Sequence, residues 1–321
     1  MKAIALFSGG LDSCLAIKII QNMGIEVEAV YIETGFDSNF NKKNYLENTA
    51  KEIGVKFTYI DERTHFIDEI LFSPKYGYGK NMNPCIDCHA NMINVAYDYM
   101  KKVDAKFIIS GEVLGQRPMS QKLDGLKKIE KLTIQPEIVV RPLSAKLLPP
   151  TLPEINGWID REKMYDISGR ERKVQMELAK KFNLKNYESP AGGCLLTDRN
   201  FSTKLKNFIK NNQLSIEDID ILKVGRHLKV NDSLIIISRN KDENPILKGY
   251  NGEKFEKMYP IGVPGPVGLI EKNATKETKK LAAQILLTYT KANKGIVGIN
   301  GENFEINSFE SKNDIKAFMF L

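Results

Sequence analysis

The stretch from residue 4 to residue 13, Ile-Ala-Leu-Phe-Ser-Gly-Gly-Leu-Asp-Ser, constrains the fold of this 321-residue chain more than any other. Ile4 to Phe7 is continuously apolar, the pattern of a strand buried on both faces of a parallel sheet. Ser8, Gly9 and Gly10 predict a turn, and Leu11, Leu15, Ile17, Ile19 and Ile20 predict a helix after it. A strand, a Gly-rich turn and a helix N-terminus together make an anion site. The first backbone N–H groups of the helix have no partners within it, and the macrodipole favours negative charge there. Gly9 and Gly10 lack Cβ atoms and let the backbone approach a phosphate closely. Ser8 and Ser13 add hydroxyl donors, and Asp12 either caps the helix or holds Mg2+. No Gly-Lys-Ser/Thr follows the turn, so this is not the Walker pattern, nor is it Gly-x-Gly-x-x-Gly.

Beyond this turn, apolar strands alternate with amphipathic helices. Val27–Ile32, Val55–Ile60, Phe107–Ser110 and Val139–Leu143 read as further strands, and Lys42–Ile53 as a helix closed by Gly54. The alternation predicts a parallel α/β sheet, whose ligands sit at the carboxyl ends of strands. The Ser8–Ser13 turn and the Ile32–Gly35 strand end then share one rim, where main chain around Ile32 is placed to read adenine. Ser168 to Lys173 puts Arg170, Arg172 and Lys173 near a helix start, against the macrodipole. Those cations either face phosphate or form a solvated surface.

The Gly-, Tyr- and Asn-rich segment 72–83 reads as a mobile loop. It leads into Asn83-Pro84-Cys85-Ile86-Asp87-Cys88-His89 and a long helix with Met92, Val95, Ala96, Tyr99 and Met100 as its stripe. Two thiols at a helix start can bind one metal centre, and the helix N-terminus is expected to lower their pKa. A third, Cys194, stands in Ser189-Pro190-Ala191-Gly192-Gly193-Cys194. A structural zinc site takes four protein ligands, and here only His89 is available as the fourth, whereas a histidine beside Cys88 is more often a helix-start or hydrogen-bonding residue. Three thiols alone would leave one iron of a [4Fe–4S] cluster open. Alternatively Cys85 or Cys88 carries a persulfide and forms a disulfide with Cys194 in turnover, or the three cysteines are unconnected. Cys14, the fourth cysteine, reads as a small core residue.

Apolar content of 42% and charged content of 27% are those of a globular protein. No apolar run reaches the length of a membrane span, and Met1-Lys2 leads straight into a core strand, so a cytoplasmic protein without membrane attachment is expected. A net charge of +7 suits a polyanion such as RNA. Composition shifts toward Lys, Asn and Asp near Asn200, which predicts an α/β domain over 1–199 and a smaller α+β domain over 200–321. In the latter, Lys204–Lys210 and Thr275–Thr290 read as helices and Leu234–Ser238, Ile296–Ile299 and Phe304–Ile306 as strands. Pro260 to Pro266 reads as a rigid loop.

Ser8-Gly9-Gly10-Leu11-Asp12-Ser13 resembles the pyrophosphate loop of the ATP pyrophosphatase (PP-loop) superfamily. Together with Cys85, Cys88, Cys194 and the run Gly111-Glu112 through Gly115-Gln116 to Ser120-Gln121, it resembles that superfamily's tRNA thiolation branch. The Gly-Glu-x-x-Gly-Gln…Ser-Gln run is similar to 4-thiouridine synthetases, and the cysteine trio to iron–sulfur-dependent thiolases. Val224-Gly225-Arg226-His227 more loosely resembles the RNA-binding module of NFACT-type proteins.

The resemblance implies a HUP-like nucleotide fold and ATP, Mg2+ and a [4Fe–4S] cluster as cofactors. It implies tRNA as a partner, with sulfide or a desulfurase-derived persulfide as sulfur donor. ATP would adenylate a uridine carbonyl and sulfur would displace AMP. Ser8, Gly9, Gly10, Leu11, Asp12, Ser13, Ile32, Gly111 and Gln116 would bind nucleotide, Asp12 and the three cysteines would be catalytic, and Cys85, Cys88 and Cys194 would ligate metal. Arg117, Lys122 or Arg141 would add positive charge. Typical 4-thiouridine synthetases carry a THUMP domain before the phosphate turn. With the turn at residue 8, RNA binding is expected of the C-terminal module. Two other readings remain open: a ligase adenylating a small molecule, and an RNA-binding protein with a degenerate nucleotide fold.

Overall fold

Lys2–Leu6 (β1), Glu26–Glu33 (β2), Lys56–Asp61 (β3), Phe107–Ile109 (β4) and Val139–Val140 (β5) form a parallel sheet in the order β3-β2-β1-β4-β5. The computed structural model describes residues 1–188 and 193–319, which divide into the units Met1–Thr197 and Asp198–Leu321. The first three strands add outward on one side of β1, and β4 then returns to its other side. Strand order therefore reverses between β1 and β4, and the turns that leave these two strands flank the reversal, where such sheets bind ligands.

Helices follow the strands as the periodicity expects. Leu11–Gln21 (α1) follows the phosphate turn, and Lys42–Ile53 (α2) ends at Gly54, whose φ of +71° suits glycine. The long helix Cys85–Lys102 (α3) buries Ile86, Ala90, Ile93, Ala96 and Met100 most deeply. Met92, Val95 and Tyr99, expected on the central stripe, flank that face and are only partly buried.

Glu28 is the unusual residue of this core. It sits on β2 with no exposure, because Lys2 Nζ (2.5 Å), Lys56 Nζ (3.0 Å), Tyr99 Oη (2.6 Å) and Thr58 Oγ1 (2.7 Å) surround its carboxylate. Burial alone would raise its pKa, but these donors outweigh burial and hold it down at about 2.

The second unit is an antiparallel sheet of Arg226–Val230 (β6), Ser233–Ile237 (β7), Phe255–Ile261 (β8), Gly268–Glu271 (β9), Lys294–Ile299 (β10) and Glu302–Asn307 (β11). Its order is β11-β10-β8-β9-β7-β6. The helix Lys276–Thr288, capped by the Thr275 hydroxyl accepting from Thr278 N, buries Ala282, Ala283, Ile285 and Leu286 with Met258, Val297, Ile299 and Phe304. The rigid loop expected over 260–266 is shorter than that, since Pro260 and Ile261 belong to β8. Pro260 is tolerated because β9 pairs with β8 only as far as Met258. On that side there is no ladder bond for the missing N–H to lose. Among the described residues, no helix is long and apolar enough to cross a membrane.

Replacing Glu28 with alanine leaves Lys2, Thr58 and Tyr99 without their shared acceptor. A loss of about 3 kcal/mol in urea unfolding at neutral pH is expected. Because the folded pKa lies below the unfolded one, this contribution is full above roughly pH 4.3 and disappears as pH falls toward the folded value. The gap between wild type and variant should therefore narrow in acid.

Candidate active site

The turn after β1 has the shape its glycines predict. Gly9 takes φ +74°, and a Cβ there would lie 2.7 Å from both Leu46 and Tyr45. Ser13 Oγ donates to Gly10 O at 2.8 Å, Tyr45 Oη donates to Gly9 O at 3.0 Å, and Gly10 N reaches Ser8 Oγ at 3.3 Å. Gly10, not Asp12, is the N-cap residue of α1, and no side chain caps the helix. The N–H groups of its first turn are thus left for a ligand. Beside the turn, β1 pairs with β2 only as far as Val30. The buried Ile32 lies past that point, where β2 has β3 as its remaining neighbour.

Asp12 is held from two distant segments. Its Oδ2 accepts from Gln116 Nε2 at 2.8 Å and from Arg172 Nη2 at 2.8 Å. Gly169 N donates to Leu114 O at 2.7 Å, which ties the Arg172 segment to the loop carrying Gln116. Of the three cations near that helix start, Arg172 is therefore the one placed on the phosphate turn. Asp12 Oδ1 and Gln116 Oε1 are both buried without a donor. Two oxygens in that condition fit a hard cation such as Mg2+.

The exit of β4 touches the same turn. Gly111 packs directly on α1, for a Cβ there would lie 2.7 Å from Ser13 Cα and N. The next residue, Glu112, is buried, with Arg141 Nε 2.9 Å from one oxygen and His89 Nδ1 2.8 Å from the other. Burial raises the Glu112 pKa, but Arg141 and His89 outweigh it and bring it to about 2. This pairing bears on two readings. His89 is a hydrogen-bonding residue, engaged with Glu112, and not a fourth zinc ligand. Arg141 spends its charge on the same carboxylate. Arg117 lies exposed on the loop beyond Gln116, and Lys122 precedes the Leu123–Leu132 helix; neither is drawn into these contacts.

Cys85 and Cys88 lie one turn apart at the start of α3, both half-buried, and Cys194 is exposed. Hydrogen bonds draw their loops together. Asn81 Nδ2 donates to Thr197 O at 2.6 Å, Thr197 N donates to Cys194 O at 2.9 Å, and Asn83 Nδ2 lies 3.1 Å from Cys85 Sγ. Leu195 N also donates to Phe36 O at 2.8 Å, beyond the end of β2. The thiols sense one another. Burial, then the neighbouring Cys194 and Cys85, push Cys88 well up, and close packing together with Cys85 and Asp37 pushes Cys194 up to about 12. For Cys88 the lowering expected from the helix N-terminus is overturned by burial. Among the described residues, no group of three or more His, Cys, Asp or Glu is closed around a metal position. Cys14 is buried in the core with its thiol raised to about 12 by desolvation.

Glu188, six residues before Cys194 in the chain, is anchored on the phosphate turn. Glu188 bridges to Gly10, its N–H donates to Gly9 O at 3.2 Å, and its carboxylate receives Lys42 Nζ at 2.6 Å. Six residues of chain reach at most about 20 Å, which bounds the separation of Cys194 from the phosphate turn. Ser189 to Gly192, expected as part of the cysteine turn, lie outside the described residues. Sequence reading missed Tyr45, Lys42, Glu188 and Asn81 altogether, because each acts through a partner far along the chain.

Gly111→Ala places its Cβ against backbone that cannot swing aside, so a stability loss of about 1–3 kcal/mol is expected. Gly10→Ala meets only Ser8 Oγ at 3.4 Å and should leave the melting temperature nearly unchanged. Calorimetry of the two variants checks the contrast.

A family described as thiamine biosynthesis protein (ThiI) matches residues 1–181, and one described as NFACT protein RNA binding domain matches residues 225–313. A tRNA-specific 2-thiouridylase of Aliarcobacter butzleri is 29% identical over 116 residues, 34% of this chain and 34% of the relative. An uncharacterized protein of Methanocaldococcus jannaschii is 30% identical over 113 residues, 35% of this chain and 41% of the relative. The chain thus spans about a third to two fifths of these curated relatives. Among solved structures, a 4-thiouridine synthetase–RNA complex with bound ATP is similar at 18% identity and a TM-score of 0.40, over 69% of this chain and 52% of that one. With more than half its length matched and the phosphate turn in place, the chain belongs to the ThiI family of PP-loop ATP pyrophosphatases, the branch its motifs resemble.

Proposed function

We propose that this protein uses ATP to place sulfur on a uridine base of tRNA. The observation that carries the reading is the segment from Glu188 to Thr197. It is bonded at one end to the phosphate turn and at the other to the loop that precedes Cys85. Adenylation and sulfur delivery need these two chemistries within one cleft. The 2-thiouridylase relative and the RNA-binding family match over 225–313 support tRNA as the substrate, and such a substrate implies the cytoplasm.

In the first step the uridine carbonyl oxygen attacks the α-phosphorus of ATP. The bond to pyrophosphate breaks and an O-adenylated base forms. Free N–H groups at the start of α1, with Gly9, Gly10 and Ser13, take the charge that develops on pyrophosphate. Asp12 and Gln116 supply the two donorless oxygens for Mg2+. Arg172 lies against Asp12 with further guanidinium donors for a phosphate oxygen. In the second step a sulfur nucleophile attacks the activated carbon, and AMP leaves with the former carbonyl oxygen.

Cys85, Cys88 and Cys194 are the residues that would hold a [4Fe–4S] cluster. What supports it is the donor chemistry: three free thiols on loops tied by hydrogen bonds, with His89 engaged by Glu112 and no closed ligand group among the described residues. Such a cluster supplies an iron without a protein ligand, the Lewis acid at which a sulfur donor binds. The second reading stays the one in which Cys85 or Cys88 carries a persulfide and forms a disulfide with Cys194 in turnover.

Mass spectrometry of tRNA nucleosides from cells with and without the gene tests the assignment. A thiouridine that disappears with the gene is expected; an unchanged nucleoside profile overturns it in favour of a small-molecule acceptor or a non-catalytic RNA binder. Cys194→Ala should retain ATP-dependent pyrophosphate release while losing sulfur transfer, since it acts on the second step. Protein purified without oxygen should contain about four irons per chain. Sulfur transfer by iron-free protein would instead select the persulfide relay.

A further inference from the structure

We propose that the solvent side of the antiparallel sheet in the second unit is a stacking platform for one unpaired RNA base. Tyr259 supplies the ring, and the buried Gly298, which has no side chain, lets that ring lie over the sheet. The proposal rests on the RNA reading of this unit and adds where, and in what form, RNA is held.

The register places these residues together. Tyr259 on β8 pairs with Gly298 on β10, and Ile261 pairs with Ile296. Tyr259 is 46% exposed, Ile261 40% and Ile296 39%. The other side of the same strands already satisfies the fold: Met258, Val297 and Ile299 are buried with the Lys276–Thr288 helix. The outward apolar strip is therefore surplus to packing in this unit. The Tyr259 hydroxyl makes no hydrogen bond among the described residues.

Gly298 gives the second observation. Its backbone is not left-handed, so conformation does not require glycine there, and a glycine inside a strand weakens the sheet. What requires it is space. A Cβ at Gly298 would lie 3.4 Å from Tyr259 Cε2, 3.2 Å from Ile261 Cδ1 and 3.6 Å from Asn303 Oδ1. Gly298 is buried under these side chains, so any larger residue would lift the Tyr259 ring from the sheet.

Size and charge choose the occupant. A strip of three side chains falls far short of the area a stable protein interface buries, about 800 Å² on each partner. It matches one base, which stacks on an aromatic ring while an amide such as Asn303 meets its edge. Lys257 lies two residues from Tyr259 on the same strand face, without an ion pair among the described residues, and stands ready for phosphate. Residues 198–321 hold 20 Lys and Arg against 15 Asp and Glu, a surplus that favours a polyanion.

Fluorescence anisotropy of the full-length protein with a labelled single-stranded RNA, and with a duplex of equal length, tests the platform. Tyr259→Ala should weaken single-strand binding about 10-fold or more, Tyr259→Phe should stay within about 2-fold, and Gly298→Val should weaken it like the alanine variant. Tyr259 is on the surface, so unchanged circular dichroism and melting are expected of its two variants, while Gly298 is buried and the melting of Gly298→Val is measured beside its binding. Wild-type binding that survives both Tyr259→Ala and Gly298→Val overturns the platform while leaving the RNA reading intact. Self-association lost in Tyr259→Ala with RNA affinity unchanged also overturns it, in favour of a contact between copies. A wild-type protein that binds neither RNA form overturns the RNA reading and the platform together.

Discussion

The carboxylate of Asp12 is the knot on which the first unit depends. One oxygen accepts from Gln116 and Arg172, which lie 104 and 160 residues along the chain. Those two bonds bring the β4 exit loop and the entry to the Lys173–Lys181 helix onto the first turn of α1. The other oxygen is buried without a donor. A half-satisfied buried carboxylate is costly unless a cation completes it. The unpartnered oxygen is thus the point at which a cation would complete the knot.

Much of this was legible in the sequence, for reasons that can be stated. The turn at 8–13 was readable because paired glycines after an apolar run leave few other conformations, and Lys42–Ile53 because a full helical period closes on Gly54. Gly111 and Gln116 were legible only as parts of a motif. Tyr45 on Gly9, Asn81 on Thr197 and Lys42 on Glu188 were not legible at all, since their partners are between 36 and 146 residues away and no local pattern encodes such pairs. The four-residue β9 is too short to show a period. β6 has one in Leu228 and Val230, but it spans only five residues and opens on Arg226 and His227. The thiols were misjudged in one respect: a helix N-terminus lowers a pKa by little compared with what burial beside other thiols adds.

Charge is distributed between the units in a way that divides their tasks. The first unit neutralises its own site, setting Arg141 on Glu112, Arg172 on Asp12 and Lys42 on Glu188. Such pairs fix geometry, but they leave little long-range attraction for a polyanion. Of the net +7, residues 198–321 contribute five and residues 1–197 only two. Attraction at a distance acts on association, whereas paired charges act on orientation once contact is made. The second unit, with the larger surplus on the shorter stretch of chain and an aromatic left uncovered on its sheet, has the physical means to attract a polyanion.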